Sequence, residues 1–202
     1  SEFAEKHGAK KLKEAVNLMD LVAQVPDLQC AWVLLSLCCA IRANYHLRSQ
    51  PPAQVELFAA SHDAAIWETL CKLLQRDDLA QQLDCREARV ATLPQRLGGC
   101  GLRSALRTSP AAYWASWADT LPMMRARNPD LAAEYFAQLK GEVPPTECLR
   151  AVTEAQVTLD NAGFVMPAWD SVWNGARPEP VTESEPGEWR HGWQYFAAAQ
   201  LE

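Results

Sequence analysis

A chain of 202 residues with 49% apolar and 22% charged side chains falls in the ordinary globular range, which excludes collagen-like, low-complexity and wholly disordered classes. The net charge of −6 is a property of the last quarter, where residues 151–202 carry two basic against eight acidic side chains, whereas a chain whose main task is gripping phosphates is more often basic throughout. The longest apolar stretch, Ala31 to Ile41, already contains Ser36 and is too short to cross a bilayer, so no membrane anchor is expected.

Ser1-Glu2-Phe3 and Leu201-Glu202 read as cloning scars, and no apolar signal region opens the chain. From Ala4 to Val25 the stripe Leu12, Ala15, Val16, Met19, Val22 and Ala23, with lysines opposite, predicts an amphipathic helix. Pro26-Asp27 ends it and caps a second helix, Leu28 to about Arg48, whose apolar residues on nearly every side predict a central core helix. Pro51-Pro52 interrupts, and a third helix follows over Ala53–Gln75. Asp77-Asp78 punctuates before a shorter helix over Leu79–Val90. Thr92–Arg103 is irregular, with three glycines in four residues at Gly98, Gly99 and Gly101. Ser109-Pro110 predicts another helix start, running to a boundary near Leu121-Pro122, with further helices at Met123–Arg127, Pro129–Leu139 and Thr146–Ala162. Beyond Met166-Pro167 the composition turns to proline and acids, with a linker over Pro178–Gly187 and a short terminal helix within Trp189–Gln200. No strand-period alternation is sustained. The expected fold is all-α, an irregular multi-helix bundle with a Gly-rich turn: one helical domain over 4–165 and a Pro/acid-rich extension over 166–200.

The residues that carry chemistry are few. Seven cysteines, at 30, 38, 39, 71, 85, 100 and 148, form no Cys-x-x-Cys pair. They read as reduced thiols, with Cys30, Cys38 and Cys39 buried in the second helix, and imply an intracellular compartment, nuclear or cytoplasmic. Leu97-Gly-Gly-Cys-Gly-Leu102 lacks the Lys-Ser/Thr of a phosphate loop and reads as a structural turn. Asp77-Asp78 has no identifiable third ligand and reads as a cap, so no metal is expected. His62-Asp63 sits too far from Cys71 on one helix to form a nucleophile and base, and reads as a polar helix surface. Trp32, Trp67, Trp114 and Trp117 read as core anchors in preference to base-stacking platforms. Arg86, Arg89, Arg96, Arg103 and Arg107 form the sole basic cluster of note. No catalytic constellation and no cofactor are expected.

Three segments together carry a resemblance: Asp27-Leu-Gln-Cys-Ala-Trp-Val-Leu-Leu through Arg42-Ala-Asn-Tyr-His-Leu-Arg48 with Pro51-Pro52; Phe58-Ala-Ala-Ser-His-Asp63; and Leu93-Pro-Gln-Arg-Leu-Gly-Gly-Cys-Gly-Leu-Arg-Ser-Ala105 with Ala111-Ala-Tyr-Trp-Ala-Ser-Trp117. In order and spacing they resemble the region carboxy-terminal to the palm in reverse transcriptases of non-long-terminal-repeat retrotransposons, over about residues 10–130. Cys100 stands where that family usually carries an aliphatic residue. The resemblance implies a non-catalytic, thumb-like or connecting helical region beside the template-primer. Its partners would be RNA or DNA template-primer or the remainder of a polymerase, and Arg96, Arg103 and Arg107 would touch backbone phosphates. The palm's paired metal-binding carboxylates are missing from this chain, so polymerisation is not expected of it. The alternative expectation is a protein–protein interaction module on the same scaffold, without nucleic-acid contact.

Overall fold

Backbone polar groups left unpaired in a core are costly, and a chain with little strand patterning satisfies them within helices. The computed structural model describes residues 2–178 and 192–201, with side chains from Lys6 onward, and every regular element among them is helical. The fold is all-α. The described residues form two compact units, one joining the chain up to Leu47 to Ala53–Thr108, the other joining Arg48–Pro52 to Ser109–Leu201.

In the first unit, α1 (Glu2–Val22) contributes Ala15, Met19 and Val22 to a core shared with α4 (Pro52–Leu73) and α5 (Arg86–Thr92). Asp27 accepts from the Cys30 N–H at 2.7 Å and caps α2 (Leu28–Leu34). The helical path then widens to π geometry over Leu35–Cys39 and tightens to 3₁₀ over Ala40–Ala43 before α3 (Asn44–Ser49). Ala31, Leu35 and Cys39 face the core, while Leu34, Leu37, Ile41 and Tyr45 are exposed. The segment expected to be surrounded is therefore two-faced. Cys30 and Cys38 are exposed as well, contrary to expectation, and only Cys39 of the three is buried. The apolar count along Leu28–Arg48 was high on both faces, so periodicity could not tell which face the other helices cover. Leu28–Ser49 is also long and apolar enough to cross a membrane, as the core helix of a soluble protein can be too.

The end of α4 forms a Schellman turn: Arg76 N–H donates to the Cys71 carbonyl at 2.8 Å and Gln75 N–H to that of Lys72 at 3.2 Å, with Gln75 at φ 55°. The helix expected over Leu79–Val90 is replaced by a 3₁₀ turn at Asp77–Leu79, further turns, and α5 starting at Arg86. Cys85 caps α5, whereas Asp77-Asp78, expected as a cap, supplies none: Arg76 stands at the N-cap of the 3₁₀ turn without a side-chain bond. The Asp78 carboxylate is held by Arg76 in a two-bond pair, and the Cys85 Sγ accepts from the Ala88 N–H.

In the second unit, the long helix α6 (Ala105–Arg127) runs through Pro110 and Pro122, where two shorter helices were expected. Three further helices, α7 (Pro129–Leu139), α8 (Glu147–Asn161) and α9 (Trp169–Trp173), are joined by α10 (Trp193–Ala199). Their core centres on Trp114, fully buried, with Phe164, Trp169 and Trp193 around it at ring-centroid distances of 5.4, 6.2 and 5.9 Å. Such a quartet brings large apolar area and edge-to-face contacts to one point. Composition set residues 166–200 apart as an extension, yet Trp169, Val172, Trp193, Ala197 and Ala198 belong to this core. The expected linker lies, apart from Pro178, outside the described residues. Asp119 adds a polar tie, accepting from Arg48 at 3.0 Å, while Arg48 also donates to Gln194 at 3.0 Å.

Candidate nucleic-acid interface

The Gly-rich loop is built against Leu93 and Pro94. Gly98, at φ 81°, ends the 3₁₀ turn Gln95–Leu97 in the left-handed region. Gly99 comes so close to Leu93 that an added Cβ would sit 2.1 Å from the Leu93 carbonyl oxygen. Gly101 N–H donates to that same oxygen at 2.9 Å, Leu102 N–H reaches the Ala91 carbonyl at 3.2 Å, and the Trp32 indole N–H donates to the Cys100 carbonyl at 3.1 Å. The backbone amides of the loop thus face the protein, as a structural turn requires.

Immediately beyond, the start of α6 is held from a distance. The Asp63 carboxylate on α4 accepts from Ser104 Oγ at 2.6 Å, Ala105 N–H at 2.7 Å and Leu106 N–H at 3.1 Å, and Ser104 Oγ accepts from Arg107 N–H at 3.1 Å. Three helix-terminal donors that would otherwise be orphaned are paired this way. This capping explains why the helix begins at Ala105, ahead of the expected Ser109-Pro110. Asp63 is a cap supplied by tertiary contact, and its neighbour His62 is fully buried instead of lying on the helix surface.

Between α4, α5 and the start of α6 lies a cavity of about 310 Å³. Ile66, Trp67 and Leu102 line it, with Arg89, Arg103 and Arg107 among its polar residues. Trp67 is fixed by its indole N–H, which donates to the Leu79 carbonyl at 3.0 Å. Arg107, half-buried on the first turn of α6, donates to Thr92 Oγ1, which in turn donates to the Arg89 carbonyl at 2.9 Å. Asp63 and Asp84 are the acids in the lining, and the first is engaged as the cap. Of the three arginines singled out from sequence, the structure brings Arg103 and Arg107 to this cavity; Arg96 lies exposed on the 3₁₀ turn and does not line it. Arg89 takes its place. Its position on α5, one turn after Arg86, depended on where that helix starts. Arg86 lines a neighbouring cavity of about 400 Å³ with Trp67, Leu70, Cys71 and Arg76. Burial pushes the Cys71 and Cys100 thiols above their ordinary range, so both favour the neutral form.

Among the described residues, no three His, Cys, Asp or Glu side chains converge to hold a metal ion. Trp67 and Trp114 are buried, and Trp32 and Trp117 are half-buried. No family model, no curated protein and no solved structure matches the chain.

Proposed function

We propose that this chain is a non-catalytic helical portion of a retroelement reverse transcriptase, or of a domesticated relative, and that it packs beside nucleic acid through the arginine-lined cavity of its first unit. The observation that carries this reading is the convergence of Arg89, Arg103 and Arg107 where one of the two lining acids is already engaged by a helix end. Guanidinium groups so placed touch phosphates without reading bases, which gives affinity that falls with salt. Compartments holding such a complex are nuclear or cytoplasmic.

The acidic residues near the carboxy terminus oppose that contact by long-range repulsion. Removing residues 177–202 would also strip Trp193 from a core, so the clean test is neutralisation: Glu179, Glu183, Glu185 and Glu188 changed to Gln. In a mobility-shift assay over a salt series, binding of an RNA–DNA duplex should strengthen in this variant. The slope of log affinity against log salt should stay near −0.9 per phosphate contacted. Salt-independent binding, or none in either protein, would contradict the reading.

The second reading is a protein-interaction module. One observation favours it: the exposed apolar row Leu34, Leu37, Ile41 and Tyr45 along Leu28–Ser49.

A further inference from the structure

His62 on α4 is fully buried, and neither of its ring nitrogens has a hydrogen-bond partner in the protein. A neutral imidazole carries one donor and one acceptor, and buried polar atoms are paired as a rule, so this ring needs something to pair with. Its Nδ1 lies 4.0 Å from Asp63 Oδ1, beyond hydrogen-bond reach, and that carboxylate is occupied by the start of α6. The ring lines a small cavity of about 90 Å³ shared with Lys11, Glu14, Arg42, His46 and Phe58. By liquid volume this space admits about three waters or one small polyatomic ion.

The lining selects between them. Arg42, His62 and Lys11 carry N–H donors, and Glu14 is the one carboxylate, already tied to Lys11 at 2.7 Å. The hydrogen bond from Lys11 holds the Glu14 carboxyl below the ordinary range, with smaller help from the charges of Lys11, Lys10 and Arg42. A metal ion is disfavoured, because no three suitable ligands converge among the described residues. A ligand rich in acceptor oxygens answers this set of donors.

We infer that the cavity between α1, α3 and α4 is a binding site for a phosphate-sized oxyanion, held by the buried His62 and by Arg42. All its residues belong to the first unit, and the site is separate from the arginine-lined cavity. The anion is either free phosphate or the terminal phosphomonoester of a larger molecule.

The test follows the imidazole resonances of His62 in the full-length chain while inorganic phosphate is added at constant ionic strength. A 5′-phosphorylated oligonucleotide and its dephosphorylated twin form a parallel arm. Saturable shifts of His62 with inorganic phosphate are expected, and Arg42→Gln should weaken binding about tenfold, the loss of one charge-assisted hydrogen bond. His62→Phe should abolish it. Arg42 is exposed, so its replacement leaves the core intact if the His62 variant fails to fold. Arg107→Gln should leave phosphate binding unchanged, which separates this site from the proposed duplex contact. Response to the phosphorylated oligonucleotide, and not to its twin, would assign a terminal phosphate as a second source. No saturable shift with either phosphate, or equal shifts in the Arg42→Gln protein, would mean that the cavity holds water alone and would overturn the inference.

Discussion

Gly99 and its two glycine neighbours look equivalent in the sequence, yet they face different demands. At Gly98 the constraint is the left-handed backbone, and alanine there should cost about 1 kcal/mol. At Gly99 a methyl group would meet the Leu93 backbone itself, which cannot rotate away as a side chain would. Gly99→Ala should therefore cost at least about 2 kcal/mol, more than Gly98→Ala, measured by chemical denaturation. Equal stabilities would show that the loop does not pack as described. The structural character of this turn was legible from its lack of a phosphate-loop signature. The ranking of its glycines was not, since it depends on a contact that only the folded loop makes. Asp63 teaches the same lesson: nothing around it in the sequence announces a cap for a helix that starts more than forty residues later.

Along the elements, periodicity located most helices but misplaced their ends where the cap comes from elsewhere. The Ser104 and Asp63 pair moves the start of α6 ahead of Pro110, and the Schellman turn at Gln75 closes α4 close to the expected boundary. Gln75 holds a positive φ that glycine adopts without a Cβ penalty. Gln75→Gly should accordingly raise stability by up to about 1 kcal/mol in a thermal melt, the reverse of the usual effect of glycine, and a clear loss would count against the turn. The two-faced segment Leu28–Ser49 makes a separate prediction. Cys30 and Cys38 should react with a thiol reagent in the native protein while Cys39 stays protected. Hydrogen bonding to Asp27, aided by its charge, raises the Cys30 thiol above its ordinary value, so less of it is thiolate near neutrality. Cys30 should label more slowly than Cys38 at pH 7, and the gap should close as pH rises through its raised value. Mass spectrometry of labelled peptides reads both rates; rapid labelling of Cys39 would overturn the assignment of faces.

At the scale of the whole chain, the all-α class was legible because helical spacing recurs throughout. The organisation into two units was not. Composition marks a change near Met166-Pro167, but the division of cores falls within α6, between Thr108 and Ser109, where the amino-acid pattern is continuous. Trp193 joins Trp114 from beyond an acidic stretch that composition alone separates from the rest. The arginines show the same limit, for three of them line one cavity only once α5 and α6 are placed. In the function proposed above, these arginines contact a phosphate backbone. Fluorescence polarisation of a labelled RNA–DNA duplex, at low and at physiological salt, compares the parent chain with a variant carrying Arg89→Gln, Arg103→Gln and Arg107→Gln. Binding that weakens at least about tenfold in the variant, with a salt slope shallower by up to about three phosphate contacts, is the predicted result. Equal binding by both proteins at both salt concentrations, or no binding by the parent, would contradict it.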